Sequence, residues 1–281
     1  MAAKVTDIPP QPLPPRRRLA FGDVAALYDA VRPPFPQAAF ETLMVAARLG
    51  PGARVLEVGA GTGKATAPLA ARGLAITALE PSAKMAVLAR RNCSRWPAVE
   101  VIETEFERFE PPAPYAAVIC ANAWHWIDHA TRYRRAHELL APGGALVALW
   151  LFPDWSRCEL REPLAEVYRT TVPELAAEFP MHPASVPTRL AGDWRAETLA
   201  AGEQVSPGAA LFVDPEVVTV PSSLTLTADR YADLLCTHQD HILLPGEQRA
   251  ALLERVTAAI ARAGGTIALP TITYACVARR G

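Results

Sequence analysis

The sequence lacks the features of several large classes of protein. It has no apolar run near the roughly 20 residues that cross a bilayer. Its charges nearly cancel, at a net −1, so it has no basic excess for binding nucleic acid or a membrane surface. Its five cysteines never form a CxxC pair, which favours reduced thiols over disulfides or zinc. These absences predict a cytoplasmic protein that binds neither nucleic acid nor membranes.

Short apolar strand patterns alternate with helix patterns from residue 53 to residue 151. The strand patterns of this part lie at residues 53–58, 74–79, 99–102, 115–120 and 145–151. Such alternation predicts an α/β fold with a parallel sheet and helices on both faces. Two later patterns, 212–220 and 266–278, bring the predicted sheet to seven strands, mostly parallel. Because Pro270 interrupts the last pattern, we expect a bulge or bend there.

A glycine-rich turn follows the first strand pattern and is the most informative local feature. Gly59, Gly61 and Gly63 alternate with other residues, and Glu57 lies two positions before the first of them. Glycine allows positive φ and close approach of a ligand to the backbone. Ligands of open α/β sheets bind at the carboxyl ends of the strands. The GxGxG spacing differs from the GxGxxG of dinucleotide-binding proteins.

Two acidic residues indicate which ligand this turn binds. Glu80 ends the second strand pattern, where its carboxylate can accept both hydroxyls of a ribose. Glu57 lies beside the turn, where it can hold an ammonium directly or through water. Free N–H groups at the start of the following helix favour a carboxylate. The predicted ligand therefore carries a ribose, an ammonium and a carboxylate, and a turn without a ligand is the alternative.

Three segments resemble motifs of the class I S-adenosylmethionine-dependent methyltransferases. Residues 56–63, Leu-Glu-Val-Gly-Ala-Gly-Thr-Gly, resemble motif I of that family. Residues 76–81 resemble its acidic second-strand motif. Residues 103–107, Glu-Thr-Glu-Phe-Glu, resemble its third-strand motif, whose acid contacts the adenine amine. The resemblance implies a Rossmann-like fold and S-adenosyl-L-methionine as the cofactor.

Further segments resemble one subgroup, methyltransferase type 11, which includes the trans-aconitate methyltransferase-like proteins. Residues 28–36, Tyr-Asp-Ala-Val-Arg-Pro-Pro-Phe-Pro, resemble its N-terminal helical lid, and residues 120–128 its fourth-strand motif with an aromatic His-Trp pair. Residues 140–146 resemble the Pro-Gly-Gly turn before strand five. The resemblance implies that Tyr28 and Arg32 close over the methionine end of the cofactor. A surface ion pair for Arg32 and helix packing for Tyr28 are the alternatives.

The resemblance and the turn together give a set of predicted cofactor-binding residues. Asn122 is expected beside the backbone or sulfonium of the methionine part. The complete set is Tyr28, Arg32, Glu57, Gly59, Gly61, Gly63, Glu80, Pro81, Glu105, Phe106 and Asn122.

Candidates for contact with a methyl acceptor follow the fourth strand and lie near the C-terminal helices. His125 is the best candidate for a general base, because the ordinary pKa of histidine lies near 6.5; a role in shaping the pocket is the alternative. Trp124 and Trp126 flank it, and for both, core packing competes with substrate contact. His238 and His241 are expected in a cap over the acceptor, since a metal site with HxxH spacing would lack further ligands. The predicted catalytic residues are His125, Tyr28 and His241.

The predicted function is methyl transfer from S-adenosylmethionine to an O, N or C atom of a small metabolite. One alternative, an NAD(P)-dependent oxidoreductase, is disfavoured by the glycine spacing. Another is a Rossmann-like protein that binds the cofactor without transferring methyl groups, as a scaffold or a rearrangement catalyst. A homodimer is left open.

The same reasoning divides the chain into four parts. A flexible leader rich in proline and arginine covers residues 1–19. The cofactor-binding core with its N-terminal lid covers 20–151, an inserted cap 152–210, and the rest of the core with substrate-capping helices 211–281.

Overall fold

The computed structural model describes residues 22–178 and 211–281, together with Trp194 and Thr198. The predicted leader and much of the predicted cap lie outside the described residues. Within them a seven-stranded sheet forms the centre of the molecule. Its strands are β1 (Arg54–Val58), β2 (Ala75–Leu79), β3 (Val99–Ile102), β4 (Tyr115–Ala121), β5 (Leu140–Pro153), β6 (Phe212–Thr227) and β7 (Thr266–Arg280).

Helices connect and cover these strands. In chain order they are α1 (Ala25–Val31), α2 (Gln37–Ala46), α3 (Thr66–Ala70), α4 (Ala83–Cys93), α5 (Arg132–Leu139), α6 (Arg161–Thr171), α7 (Pro173–Glu178), α8 (Ala228–Leu235), α9 (Gln239–Ile242) and α10 (Gly246–Arg262). No helix of the described residues is long and apolar enough to cross a membrane.

The sheet has the order β3-β2-β1-β4-β5-β7-β6. Strands β1 to β5 are mutually parallel, whereas β7 is antiparallel to both β5 and β6. From β1 the chain adds β2 and β3 on one side, and it then returns to the other side of β1 with β4. The carboxyl ends of β1 and β4 flank this reversal, which is where open α/β sheets bind ligands.

Both faces of the sheet are covered by helices, as predicted. Val55 and Leu56, which are neighbours on β1, point to opposite faces and are fully buried in different cores. The core around Val55 includes Phe40 of α2, and the core around Leu56 includes Tyr133 of α5. A central parallel strand is buried on both sides, which explains why β1 reads as an almost continuous apolar run.

The irregularity expected at Pro270 lies elsewhere in the ladder between β6 and β7. Pro270 pairs with Ser223 without a register shift, so the predicted bulge is wrong; the shift occurs between Val213 and Glu216. Pro270 lies just beyond the last β5 pair, so no strand on that side needs the N–H that proline lacks.

The Pro-Gly-Gly segment is a bulge inside β5 and not a turn before it. The ladder between β4 and β5 jumps from the pair Tyr115–Leu140 to the pair Ala117–Ala145. The extra residues bend away, and Gly143 has a φ of +71°. Helix α5 ends at Leu139, before this segment.

Helices α6, α8 and α10 form a separate core beside the sheet. Leu164 of α6, Leu235 of α8 and Val256 of α10 belong to one buried cluster. Leu269 of β7 and Val31 of α1 join the same cluster. We call α6, α8 and α10, together with residues 236–245 that join α8 to α10, the roof.

Candidate active site

A cleft of about 560 Å³ opens at the carboxyl ends of β1 and β4. The glycine turn forms one side of the cleft and Asn122 another, while Tyr28 and Arg32 approach from α1 and the loop after it. Glu57 also lines it. Residues far apart in sequence thus meet where the fold predicts a ligand.

The glycines of the turn adopt the left-handed backbone that their spacing predicts. Gly59, Gly61 and Gly63 have φ values of +70°, +59° and +87°. A Cβ atom on Gly59 would lie 2.7 Å from the Cβ of Ala123, which follows β4. The first glycine therefore lets the turn pack tightly against the end of the neighbouring strand.

Glu80 fastens the turn to the end of β2. Its Oε2 accepts the N–H of Gly61 at 2.8 Å, and its Oε1 accepts the N–H of Ser82 at 2.9 Å. Burial raises the pKa of Glu80, whereas these two N–H groups lower it. Each carboxylate oxygen has a further lone pair that could accept a ribose hydroxyl, although Glu80 is not among the residues that line the cleft.

Glu57 is a buried carboxyl beside the cleft. Only 1% of the residue is exposed, and neither oxygen has a hydrogen-bond partner among the described residues. Burial raises the pKa of Glu57 to about 7; the nearby Thr66 hydroxyl opposes this shift and the Glu80 charge reinforces it. A buried acceptor without a partner is costly, and an ammonium group would satisfy it. This unpartnered carboxyl therefore fits the ammonium of the expected cofactor.

A second pocket, of about 390 Å³, lies on the other side of Gly59. Pro81, Glu105 and Phe106 line it, which brings the second-strand and third-strand motifs together. Trp126 also lines this pocket, although the sequence predicted it in an acceptor pocket. Glu105 forms an ion pair with Arg108 at 3.1 Å, and this pair keeps its carboxylate at the rim.

Asn122 is held in a left-handed conformation directly after β4, with a φ of +54°. Its N–H donates to the carbonyl of Leu149 at 2.7 Å. Its Oδ1 accepts the N–H of Leu151 at 3.1 Å. Both bonds go to β5, so the neighbouring strand fixes this residue at the cleft wall.

Arg32 links the cleft to the roof. Its Nε donates to Oγ1 of Thr237 and its Nη2 to the carbonyl of Thr237, both at 2.8 Å. Its guanidinium carbon lies 5.2 Å from the ring centroid of Tyr28, within cation–π range. Burial raises the pKa of Tyr28 above its ordinary 10, so this phenol is protonated at neutral pH.

Trp124 belongs to the core and not to the pocket lining. It is 2% exposed and packs edge-on against Tyr133, with ring centroids 5.4 Å apart. Arg132 lies over its ring. Predicted substrate contact by Trp124 is therefore corrected to core packing, since a substrate has no access to a side chain buried this deeply.

His125 retains an exposed surface beside Trp126 and Trp150. Nε1 of Trp150 lies 3.5 Å from its Nδ1, in donating geometry. Loss of hydration to the surrounding protein lowers the pKa of His125 to about 4, and the charges of Arg132 and His129 act in the same direction. The ring is therefore neutral at physiological pH.

His241 is fully buried and lies outside the lining of the cleft. Its Nε2 is 2.6 Å from the hydroxyl of Tyr168 on α6, and the rings of His238 and His241 are 5.7 Å apart. The predicted catalytic role of His241 is thus corrected to one inside the roof. His238 is also absent from the lining of this cleft. Burial lowers the pKa of His238 far below 6.5 and that of His241 to about 4.

This burial predicts a stability that depends on pH. Because the folded state lowers the pKa of His241 below its unfolded value, the unfolded chain binds more protons between pH 6.5 and 4. Stability should therefore fall as the pH drops through that range, by on the order of 1–2 kcal/mol at pH 5 for this residue. We expect His241→Gln to flatten the difference between urea midpoints at pH 7 and pH 5. An unchanged difference would contradict the assignment.

Lys64 is a residue of the site that the sequence analysis missed. It lines the cleft. Its Nζ donates to the carbonyl of Asp29 on α1 at 2.8 Å. The helix begins later, at Thr66, so Lys64 lies in the turn and can reach the lid. Its position directly after Gly63 is the signal that could have found it.

Within residues 22–178 and 211–281, no group of three or more His, Cys, Asp or Glu side chains could hold a metal ion. The HxxH pair 238–241 therefore has no third ligand there.

Comparison with known proteins agrees with this geometry. A family model described as a methyltransferase domain matches residues 55–144, which run from β1 into the bulge of β5. An uncharacterized methyltransferase of Mycobacterium tuberculosis is 30% identical over 230 residues, covering 78% of this chain and 87% of the relative. A demethylmenaquinone methyltransferase of Tropheryma whipplei is 29% identical over 142 residues, covering 48% of this chain and 56% of the relative.

Solved structures share the fold. A structure from Anaeromyxobacter dehalogenans, assigned as a type II methyltransferase, has a TM-score of 0.58 and 21% identity, and the match covers 89% of this chain and 97% of that one. The glycine turn, the unpartnered Glu57 and the match to methyltransferases together support S-adenosylmethionine as the cofactor. The chain belongs to the class I S-adenosylmethionine-dependent methyltransferases and is an enzyme of that family.

Proposed function

We propose that this enzyme methylates an O, N or C atom of a small metabolite. One observation carries the proposal: helix α1, which brings Tyr28 to the cleft, is bonded to the roof. Nη2 of Arg230, on α8, donates to the carbonyl of Ala30 at 2.6 Å, and Arg32 binds Thr237 beyond α8. With α1 held in this position, the chain itself would border the methionine part of the cofactor. A site bordered in this way suits a small acceptor better than a macromolecule.

The charge of the protein supports the same acceptor class. Nucleic acids are bound mainly through their phosphates, which requires a surface rich in Lys and Arg. The net charge of −1 offers no such excess.

We assign the predicted cofactor residues to parts of the ligand. Glu57 would hold the ammonium, Glu80 the ribose hydroxyls, and Glu105 and Phe106 the adenine. Asn122 and the lid would contact the rest of the methionine part, with Tyr28 and Arg32 closing over it. The glycines Gly59, Gly61 and Gly63 allow the backbone to approach, and Pro81 borders the adenine side.

The cofactor supplies a methyl group for an in-line displacement by the acceptor. The protein must hold the acceptor atom at attack distance and exclude water. In this scheme His125 orients the acceptor as a hydrogen-bond donor. Because Nε1 of Trp150 lies in donating geometry to Nδ1, the neutral ring carries its proton on Nε2, which can donate to the acceptor.

The acceptor class can be tested by measuring S-adenosylhomocysteine. Purified enzyme and S-adenosylmethionine are incubated with the small-metabolite, protein and RNA fractions of one cell extract. We expect S-adenosylhomocysteine to form only with the small-metabolite fraction. Formation with protein or RNA would contradict the proposal, and binding without any product would favour the rival that does not transfer methyl groups.

The role of His125 makes a separate prediction, once an acceptor is known from that screen. His125→Ala should lower kcat/KM for the acceptor about tenfold and leave the Kd of S-adenosylhomocysteine within about threefold. His125→Gln, which keeps a donor but cannot act as a base, should recover most of the rate. A loss of about 100-fold or more in both variants would instead assign a general base.

A further inference from the structure

Asp29, on α1, is the centre of a group of polar contacts beside the cleft. Its Oδ1 accepts Nδ2 of Asn92 at 2.9 Å, and its Oδ2 accepts Nη2 of Arg91 at 3.1 Å. Its backbone carbonyl accepts Nζ of Lys64 at 2.8 Å. Helix α1 has only seven residues, too few to be stable alone. Its position over the cleft therefore depends on contacts of this kind.

Asn92 touches the lid and the glycine turn with the same amide group. Besides its bond to Asp29, Nδ2 donates to the carbonyl of Thr62 at 2.9 Å. Thr62 lies between Gly61 and Gly63 and is 1% exposed. A side-chain amide carries two N–H groups, so both bonds can exist together. The side chain of Asn92, on α4, therefore connects the carboxylate of Asp29 on α1 with the carbonyl of Thr62 in the turn.

We propose that Asn92 and Asp29 are positioning residues that fasten α1 to the glycine turn, so that cofactor binding and lid closure are one coupled step. The turn that receives the cofactor is the same turn that holds the lid. A cofactor that fixes the turn therefore also fixes Asp29, and through it Tyr28 and Arg32.

Breaking the contacts between α1 and the glycine turn should raise the apparent Kd of the cofactor. If the protein binds cofactor tightly only with α1 closed, the apparent Kd rises in proportion as the closed fraction falls. A lost hydrogen bond of ordinary strength then corresponds to about a fivefold to tenfold weaker affinity. The inference concerns the cofactor alone and does not depend on the identity of the acceptor.

The experiment compares variants of the full chain. The Kd of S-adenosylhomocysteine is measured by calorimetry, and hydrogen exchange of residues 22–36 is measured with and without it. We expect Asn92→Ala to weaken binding about fivefold to tenfold and to leave the lid incompletely protected when S-adenosylhomocysteine is bound. If that variant does not fold, Asp29→Asn, which keeps the shape of the side chain, should show the same changes in smaller measure.

A charge swap tests both contacts of Asn92. N92D places two carboxylates against each other and should bind S-adenosylhomocysteine more weakly than Asn92→Ala. The double variant D29N/N92D removes that repulsion, but residue 92 then has no N–H for the carbonyl of Thr62. It should bind at least about threefold more tightly than N92D and remain weaker than the wild type. Wild-type affinity in the double variant would overturn the proposal.

The chain offers a matched control between the same two parts. Lys84 of α4 forms a 2.8 Å ion pair with Asp23, two residues before α1, and both side chains are largely exposed. Lys84→Ala should leave the Kd within about twofold, because exposed pairs contribute little. A lower melting temperature for Asn92→Ala with unchanged Kd and unchanged lid exchange would show a structural role only and overturn the inference. Since wild-type binding is measured directly, a wrong acceptor class would not affect this outcome.

Discussion

Gly59→Ala should weaken S-adenosylhomocysteine binding by about 100-fold or more. The added Cβ would lie 2.7 Å from the Cβ of Ala123, and the residue has a φ of +70°. The clash and the strained backbone together correspond to about 3 kcal/mol or more. The variant can relieve them only by moving the turn away from the end of β4, and both pockets meet at that contact. Calorimetry with S-adenosylhomocysteine measures the effect.

Gly143 provides a matched control for the backbone strain. Its φ is +71°, and no atom lies within 4 Å of the position that a Cβ would take. It lies in the β5 bulge, at the opposite end of the strands from the cleft. Gly143→Ala should cost about 1–2 kcal/mol of stability and leave the Kd within about twofold. Similar affinities for the two variants would contradict the role given to the turn.

Glu57→Gln should weaken S-adenosylhomocysteine binding about 100-fold at pH 8, because it would remove the charge-assisted bond proposed between the buried Glu57 and the ammonium. In the wild type, affinity should also depend on pH. The pKa of Glu57 is about 7 without ligand, and an ammonium beside it favours the ionised form. Binding below pH 7 must therefore release a proton, so affinity should fall by up to about tenfold per pH unit from 7 towards 5.

Calorimetry at pH 6.5 in two buffers of different ionisation enthalpy counts the released protons. We expect release from the wild type and much less from Glu57→Gln. Glu105→Gln, at the rim of the adenine side, should keep the pH dependence. A pH dependence that persists in Glu57→Gln would assign the proton to another group, for which Glu80 is the first candidate, since burial raises its pKa as well.

The sequence predicts the fold well where local pattern and burial agree. The strands β1 to β5 are apolar runs between helix patterns, and that alternation leaves few topologies to choose from. The sequence predictions are wrong where a residue is compatible with more than one local structure. Pro270 would disrupt a β-ladder only if the neighbouring strand needed the N–H that proline lacks. Strand β5 has already ended at this point. Pattern alone cannot reveal where a neighbouring strand ends.

Prediction of the site succeeds for backbone features and is weaker for long side chains. The positive φ values of Gly59, Gly61 and Gly63 follow from residue type, and the structure has them. Contacts of Lys64 and Asn92 with α1 join segments 35 and 63 residues apart, and no periodicity encodes such pairs. The residues assigned to cofactor and acceptor contacts remain predictions until the variants above are measured.

The roof has a core that is largely separate from the sheet. Leu164, Leu235 and Val256 share this core with Leu269 of β7, whereas Val55 and Leu56 of β1 belong to two other cores. Val31 of α1 joins the roof core as well, so substitutions inside the roof would reach the glycine turn through α1. Such partial separation would let descendants of one ancestor acquire new acceptors while inheriting the same methyl donor.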